Sequence, residues 1–197
     1  MYTINKLLTE EYIIKNSRFI CLIYPISKLE DVNYHLNNVK YIYKNATHYC
    51  YAYILENNKK FSDDGEPSGT AGFPMLQVLE KNNLSNVLAI IVRYFGGIKS
   101  GAGPLTRAYA NCTNNTLNKD NLIELENGFN VDLIFNYSLE KEISYILRNS
   151  VINNKDFLDK IKLNVDLNKN ILDQINNIKN VEIINVKEKL ITKSDLH

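Results

Sequence analysis

Residues 86–103 read NVLAIIVRYFGGIKSGAG, and this stretch decides how the first half of the chain folds. Its first part, Asn86–Phe95, is almost continuously apolar, which predicts a strand buried on both faces. Four glycines follow the strand: Gly96, Gly97, Gly101 and Gly103. Pro104 suits the first turn of a helix, because the N–H that proline lacks has no partner there. The stretch therefore predicts a buried strand, a tight turn and a helix in succession.

The residues on the N-terminal side predict further strands and helices around this buried strand. Ser27, with Glu30 three residues later, has the pattern of a capping box at the start of a helix. Thr47–Leu55 alternates with partly apolar residues on both faces, which predicts a central strand. The other predicted elements are strands at Tyr2–Leu8 and Glu11–Tyr24 and a helix at Thr70–Lys81.

The pattern changes at Leu125–Asn130, LENGFN, where we predict a break between two domains. The segments that follow predict the order βαββαβ, which is the ferredoxin-like arrangement. We therefore expect an α+β protein with one domain at residues 1–128 and a second, ferredoxin-like domain at residues 129–197.

The composition is that of an ordinary globular protein and excludes several functional classes. Hydrophobic residues make up 45% of the 197 residues, and the net charge is only +1, so a large nucleic-acid-binding basic surface is not expected. The three cysteines form no CxxC pair, which is typical of a reducing compartment. The N-terminus lacks a signal-peptide pattern, and no apolar run is long enough for a membrane span. These features predict a cytoplasmic protein without membrane contact.

The segment between strand and helix, GGIKSGAG at residues 96–103, has the features of an anion site, and we call it the glycine-rich segment. Glycines allow close approach of the backbone, and the helix N-terminus presents free N–H groups. Arg93, Lys99 and Arg107 add positive charges. However, the spacing matches neither a P-loop nor GxGxxG. A tight strand–helix turn with ion-paired arginines explains the same residues, and we favour that interpretation on spacing alone.

A second unusual segment, DDGEPSGTAG at residues 63–72, is rich in acids and small residues. Asp63, Asp64 and Glu66 are candidates for a divalent-cation site or for acid–base catalysis. They are also candidates for ion pairs with the arginines and the lysine of the glycine-rich segment. We favour the ion pairs, which need both segments to leave neighbouring strands of one sheet. The spacing excludes an EF-hand.

Other reactive residues in this region have simpler explanations. His48 and Cys50 lie on one face of a predicted strand, but they lack the further ligands that a metal needs. A Cys–His dyad would lack a third orienting group. Ser68 and Thr70 are not in a nucleophile elbow. The tyrosines of Thr47–Leu55 could stack on bases, although strand tyrosines more often pack against a core.

Two long motifs in this order resemble the signature of the IMPACT (YigZ) family. They are DDGEPSGTAGFPML at 63–76 and VRYFGGIKSGAGPLTRAYA at 92–110, and SRFI at 17–20 and ATHYCYAYI at 46–54 are also similar. The resemblance implies an N-terminal ribosomal protein S5 domain 2-like α/β domain. It implies a C-terminal ferredoxin-like domain similar to one in translation elongation factor G. The eukaryotic relatives regulate translation by binding a ribosome-associated activator of a stress kinase.

With this resemblance we expect a non-enzymatic protein that regulates translation by binding RNA, the ribosome or a ribosome-associated protein. No cofactor is expected, although a phosphate-containing ligand at Gly96–Gly103 is compatible with the residues. The alternative is an Mg²⁺-dependent phosphoester hydrolase or a nucleotide-binding enzyme that uses both segments. The candidate binding residues are Asp63, Asp64, Glu66, Arg93, Gly96, Gly97, Lys99, Gly101, Gly103 and Arg107.

Overall fold

The computed structural model describes residues 1–117 and 121–193 and divides into two compact units. The first unit is Met1–Ile123 and the second is Glu124–His197. Both units combine helices with an antiparallel sheet, so the chain is a mixed α/β protein of two domains. Within the described residues, no helix is both long and apolar enough to cross a bilayer.

The first unit is built on one antiparallel sheet with the strand order β2-β3-β6-β4-β5. The short strand β1 (Tyr2–Thr3) lies outside this sheet, whose strands are β2 (Leu8–Ile14), β3 (Ser17–Pro25), β4 (His48–Leu55), β5 (Asn58–Ser62) and β6 (Val87–Tyr94). The helices of the first unit are α1 (Leu29–Ile42), α2 (Gly72–Lys81) and α3 (Ala102–Thr116). Helices α2 and α3 contribute to the apolar core on one face of the sheet, and α1 contributes to the core on the other.

The prediction of a buried central strand is confirmed in β6, which lies between β3 and β4. Its residues from Val87 to Val92 are completely buried, because helices cover both faces of the sheet. The alternation predicted for β4 is also confirmed. Cys50 and Ala52 belong to the core under α2 and α3, whereas Tyr51 and Tyr53 pack against the core under α1.

Two predictions near the N-terminus were wrong in detail. Glu11–Tyr24 is not one strand, because β2 and β3 form a hairpin whose turn residues, Lys15 and Asn16, both have positive φ. The predicted strand at Tyr2–Leu8 is reduced to the short β1. The cap of α1 is also different from the prediction. Asp31, rather than Glu30, accepts hydrogen bonds from the backbone N–H groups of Ser27 and Lys28 at 2.8 and 3.1 Å.

Strand β5 was not predicted, and it determines the position of residues 63–72, which we call the acidic segment. Strands β4 and β6 are antiparallel, so the end of β4 and the end of β6 lie at opposite ends of the sheet. A loop directly after β4 would therefore be far from the glycine-rich segment that follows β6. Strand β5 returns the chain along β4, with Ser62 paired to Tyr51, before the acidic segment begins. The acidic segment, which follows Ser62, therefore starts at the same end of the sheet as the end of β6.

The second unit has the predicted element order βαββαβ and the strand order β10-β7-β9-β8. Its elements are β7 (Ile123–Phe135), α4 (Glu140–Ile146), β8 (Val151–Phe157), β9 (Ile161–Asn168), α5 (Lys169–Asn176) and β10 (Val181–Thr192), with short 3-10 turns on either side of α4. The segment Leu125–Asn130, where we predicted the break between domains, lies inside β7, and the two units divide between Ile123 and Glu124. Gly128 permits close packing there rather than a turn, because a Cβ at this position would lie 2.4 Å from Ile191 Cδ1.

Candidate functional site

A pocket of about 400 Å³ lies where the acidic and glycine-rich segments approach each other. Its walls come from the start of β4, the acidic segment, the end of β6 and the start of α3, and they include His48, Glu66, Arg93, Phe95, Lys99 and Leu105. Residues of the two segments therefore lie together at this pocket, as the predicted ion pairing requires.

A buried ion pair joins the two segments. Glu66 and Arg93 expose only 8% and 4% of their surface, and Arg93 Nη1 donates to Glu66 Oε1 at 2.5 Å. The hydroxyl of Tyr109 donates to the same carboxylate oxygen at 2.7 Å. Because burial removes the screening of water, this pair fixes the acidic segment firmly against β6. The predicted ion pairing is thus confirmed for Glu66 with Arg93.

Arg93 is also held by aromatic rings and by a turn residue. Its guanidinium carbon lies 5.2 Å from the ring centre of Phe19 and 5.4 Å from that of Phe95, within the range of cation–π contacts. Its Nη2 donates to Ser17 Oγ at 3.3 Å, and the same hydroxyl accepts the backbone N–H of Gly96 at 3.2 Å. The guanidinium therefore connects the hairpin turn, the central strand and the glycine-rich segment.

Asp63 and Asp64 do not form the predicted ion pairs. Asp63 accepts backbone N–H groups from Gly69, Ala71 and Gly72 at 2.8–3.0 Å, and it thereby caps the start of α2. Asp64 accepts the N–H of Tyr49 at 2.6 Å. The prediction of cross-segment pairs was therefore wrong for these two carboxylates, because backbone N–H groups at the loop ends are nearer partners. Both aspartates shape the loop.

His48 is a site residue for which the sequence suggested only packing. Its Nδ1–H donates to the backbone carbonyl of Asp64 at 2.8 Å, so Nε2 carries a lone pair in the neutral ring. Nε2 lies 3.8 Å from Glu66 Oε2. Tyr109 and Ser17 were also missed, because both act through partners that are distant in sequence. For these three residues, the one sequence feature that could have indicated a place in the site was the position of His48 on a predicted strand.

The cysteine beside this network is not an activated nucleophile. Cys50 Sγ donates to the carbonyl of Asp63 at 2.9 Å and lies 3.4 Å from the Tyr109 hydroxyl. Burial raises the pKa of the Cys50 thiol well above its ordinary value, and burial likewise raises the pKa of Tyr109. A thiol held in its protonated form is a poor nucleophile. Cys50 therefore serves as a packed hydrogen-bonding group.

The glycines of the second segment have different structural reasons. A Cβ on Gly96 would lie 2.0 Å from the carbonyl oxygen of Asn16, so only glycine fits there. Gly97 and Gly101 have φ values of +85° and +78°. Gly103 lies in the first turn of α3, beside the side chain of Arg107. Of these four glycines, Gly101 lines the pocket.

The two remaining basic residues point outward. Lys99 and Arg107 are exposed, and neither has a hydrogen bond or ion pair within residues 1–117 and 121–193. Lys99 lines the mouth of the pocket, whereas Arg107 lies one turn into α3. The acids of this site are thus turned inward, and two of its three cations remain available to a ligand.

Comparison with known proteins agrees with the motifs. The family model of the Impact N-terminal domain matches residues 15–117. IMPACT family member YvyE of Bacillus subtilis (strain 168) is 43% identical over 126 residues, which are 62% of this chain and 58% of that protein. IMPACT family member YigZ of Escherichia coli (strain K12) is 38% identical over 109 residues, or 53% of each chain. The chain thus spans about half the length of the curated relatives it matches.

A solved structure extends the likeness over both units. A crystal structure described as that of a hypothetical protein has 27% identity and a TM-score of 0.66, and the alignment covers 95% of this chain and 98% of that one. The family model covers more than half of the 197 residues, including the acidic segment, β6 and the glycine-rich segment. The chain belongs to the IMPACT family.

Proposed function

We propose that this protein is a non-enzymatic cytoplasmic regulator of translation that binds RNA, with the RNA of the ribosome as the natural partner. The family resemblance supports the cellular process. The observation that supports the mode of binding is the pair of exposed cations, Lys99 and Arg107, on a segment whose nearby acids are engaged inside the fold. Phosphate groups are the complementary ligands.

The distribution of charge supports this proposal although the net charge is small. The sequence from Lys81 to Lys119 contains no aspartate or glutamate, and it includes the end of α2, β6, the glycine-rich segment and α3. A chain with a net charge of +1 can therefore present a local basic surface. Lys99 and Arg107 lie in the middle of this acid-free stretch.

Exposed aromatic rings on the first unit suit single-stranded RNA. Phe95 follows β6 and is 42% exposed, and its N–H donates to Thr47 Oγ1 at 3.0 Å. Tyr41, near the end of α1, is 74% exposed and lies under the ammonium group of Lys44. Base stacking on such rings stabilises single-strand complexes by about 1–3 kcal/mol per base.

The magnesium-dependent alternative is less well supported, for a reason of ligand chemistry. Mg²⁺ needs carboxylate oxygens that are free to coordinate it. Both oxygens of Asp63 accept backbone N–H groups, and one oxygen of Glu66 accepts Arg93 and Tyr109. Both oxygens of Asp63 and Oε1 of Glu66 therefore have partners that a cation would have to displace, and the single unbonded oxygen, Oε2 of Glu66, is too few for an Mg²⁺ site.

We also propose the domain assignments. The first unit, Met1–Ile123, is the IMPACT-type, S5 domain 2-like domain, and the second unit, Glu124–His197, is the ferredoxin-like domain. The order βαββαβ, with the outer strands β10 and β8 on either side of β7 and β9, supports the second assignment.

The experiment is a salt titration of RNA binding by the full chain. Fluorescence anisotropy with a labelled oligouridylate should give an affinity that falls with salt, with a slope of about −0.7 per phosphate neutralised. The double variant K99Q/R107Q should reduce the slope by about 1.4. The matched control K6Q/K81Q removes the same charge at exposed positions of the first unit and should leave the slope unchanged. Binding that is insensitive to salt and to K99Q/R107Q would exclude RNA and favour a protein partner.

A further inference from the structure

Two hydrogen-bond acceptors without donors line the pocket. Glu66 Oε1 receives the bonds from Arg93 and Tyr109, whereas Oε2 receives no hydrogen bond within the described chain. The Glu66 side chain is only 3% exposed, and it lines the pocket. The second acceptor is Nε2 of the neutral His48 ring, which lies 3.8 Å from Oε2. In the neutral ring the lone pair is on Nε2, because Nδ1–H donates to the carbonyl of Asp64. A buried acceptor such as Oε2, with the partly exposed His48 beside it, favours a ligand that brings donors.

The rest of the pocket has the opposite chemistry. Lys99 lies at its mouth, and Ala102 and Gly103 begin a helix of 15 residues whose first N–H groups have no partners in the helix. The groups with full charges that line the pocket are Glu66, Arg93 and Lys99, which sum to one positive charge. The pocket therefore suits a molecule with donors at one end and an anion at the other, whereas a cationic side chain would be repelled.

Other walls of the pocket are apolar and suit a flat ring. Pro67, Phe95 and Leu105 line the cavity of about 400 Å³, a volume within the range of small-molecule sites. Phe95 can stack on a base because it is partly exposed.

We propose that this pocket binds a guanine nucleotide, with the base at Glu66 and His48 and the phosphate at Lys99 and the start of α3. Guanine presents two adjacent donors, N1–H and the N2 amino group, to the two acceptors. Adenine and cytosine present one amino donor next to an acceptor nitrogen, and uracil presents one donor between two carbonyls. If the guanine belongs to an RNA strand, this inference rests on the proposed function. If it belongs to a free nucleotide, the inference is independent of that function.

The test compares GMP with AMP by isothermal titration calorimetry on the full chain. We expect saturable binding of GMP that is at least about tenfold tighter than that of AMP, since a good donor–acceptor pair discriminates by about 1–3 kcal/mol. H48A should reduce this preference about fivefold or more, because it removes one acceptor. A102F should abolish GMP binding by filling the pocket from an exposed position without changing the buried network. N111F, which adds the same ring at an exposed position later in α3, is the matched control.

A second pair of titrations distinguishes the two sources of the nucleotide. An oligouridylate is compared with the same strand carrying one central guanosine. Tighter binding of the guanosine strand, lost in A102F, supports an RNA nucleotide as the ligand. GMP selectivity without any effect of the guanosine supports a free nucleotide. Equal binding of GMP and AMP, no binding of either, or GMP binding that A102F leaves intact overturns the proposal. The salt dependence of the plain oligouridylate tests the proposed function separately.

Discussion

Replacing Arg93 by methionine should destabilise the first unit strongly. Glu66 would then be a carboxylate with 3% of its side chain exposed, and its remaining hydrogen bond would be that from Tyr109 at 2.7 Å. Removing one partner of a buried pair costs about 3–5 kcal/mol because the other charge stays uncompensated. Methionine is apolar and flexible enough to fill the space between Phe19 and Phe95, so the loss reports mainly on the charge.

A second substitution tests whether that charge is the cause. Glu66→Gln in the Arg93→Met background keeps an acceptor for Tyr109 and removes the buried charge, so the double variant should be more stable than Arg93→Met alone by about 1–2 kcal/mol. The matched control is Arg18→Met. Arg18 pairs with Glu11 at 2.8 Å, but both side chains are nearly half exposed. This exposed pair should contribute less than about 1 kcal/mol.

Urea unfolding followed by far-UV circular dichroism measures these free energies of unfolding. Because the chain has two units, amide hydrogen exchange of β6 peptides assigns the loss to the first unit. A loss below about 1 kcal/mol for Arg93→Met would refute the argument. Strictly additive effects of the two substitutions would also contradict it, since they would show that Arg93 and Glu66 are not coupled.

Three further predictions concern a glycine, a helix cap and the thiols. Gly96→Ala should prevent stable folding, because its Cβ would clash with the Asn16 carbonyl. Gly97→Ala should cost only about 1 kcal/mol of backbone strain, because Gly97 has a positive φ but open space around it. Thermal unfolding measures the stability of both variants. Burial raises the pKa of Asp31, but the hydrogen bonds at the start of α1 outweigh burial and lower it. The stability it contributes is therefore present at neutral pH and lost as the pH falls through its folded pKa, and D31N should flatten this part of a pH–stability curve. The three buried cysteines should resist a thiol reagent at pH 8 until the protein is unfolded, because burial raises the pKa of each thiol; rapid labelling of the folded protein would contradict this.

The sequence was sufficient for the elements whose burial pattern is strong. The apolar run of β6 and the alternation of β4 predicted their places in the sheet, because each pattern records which faces are covered. Strand β5 escaped prediction since its residues are polar and mostly exposed, as befits an edge strand. The misplaced break at Leu125–Asn130 has a similar origin, because a glycine in a strand interior can serve close packing as well as a turn.

The site was predictable in its charges but not in the partners of those charges. A carboxylate that caps a helix and a carboxylate that binds a cation have the same sequence signature, so Asp63 could not be assigned without its backbone donors. The tautomer of His48 depends on a carbonyl 16 residues away, which no local pattern indicates. Ion pairing between the two segments was predictable from their opposite charges, but the choice of Glu66 as the partner of Arg93 was not.

The ion-paired scaffold and the proposed binding surface, which the sequence left as competing interpretations, are compatible with one arrangement. Glu66 neutralises Arg93 inside the fold, and Asp63 and Asp64 are engaged by backbone N–H groups. With these acids turned inward, Lys99 and Arg107 have no counter-charge at the surface among the described residues. The same buried pair leaves one oxygen of Glu66 facing a pocket. A nearly neutral chain thereby acquires a cationic rim and an acceptor-lined interior, which together suit a nucleotide better than either feature alone.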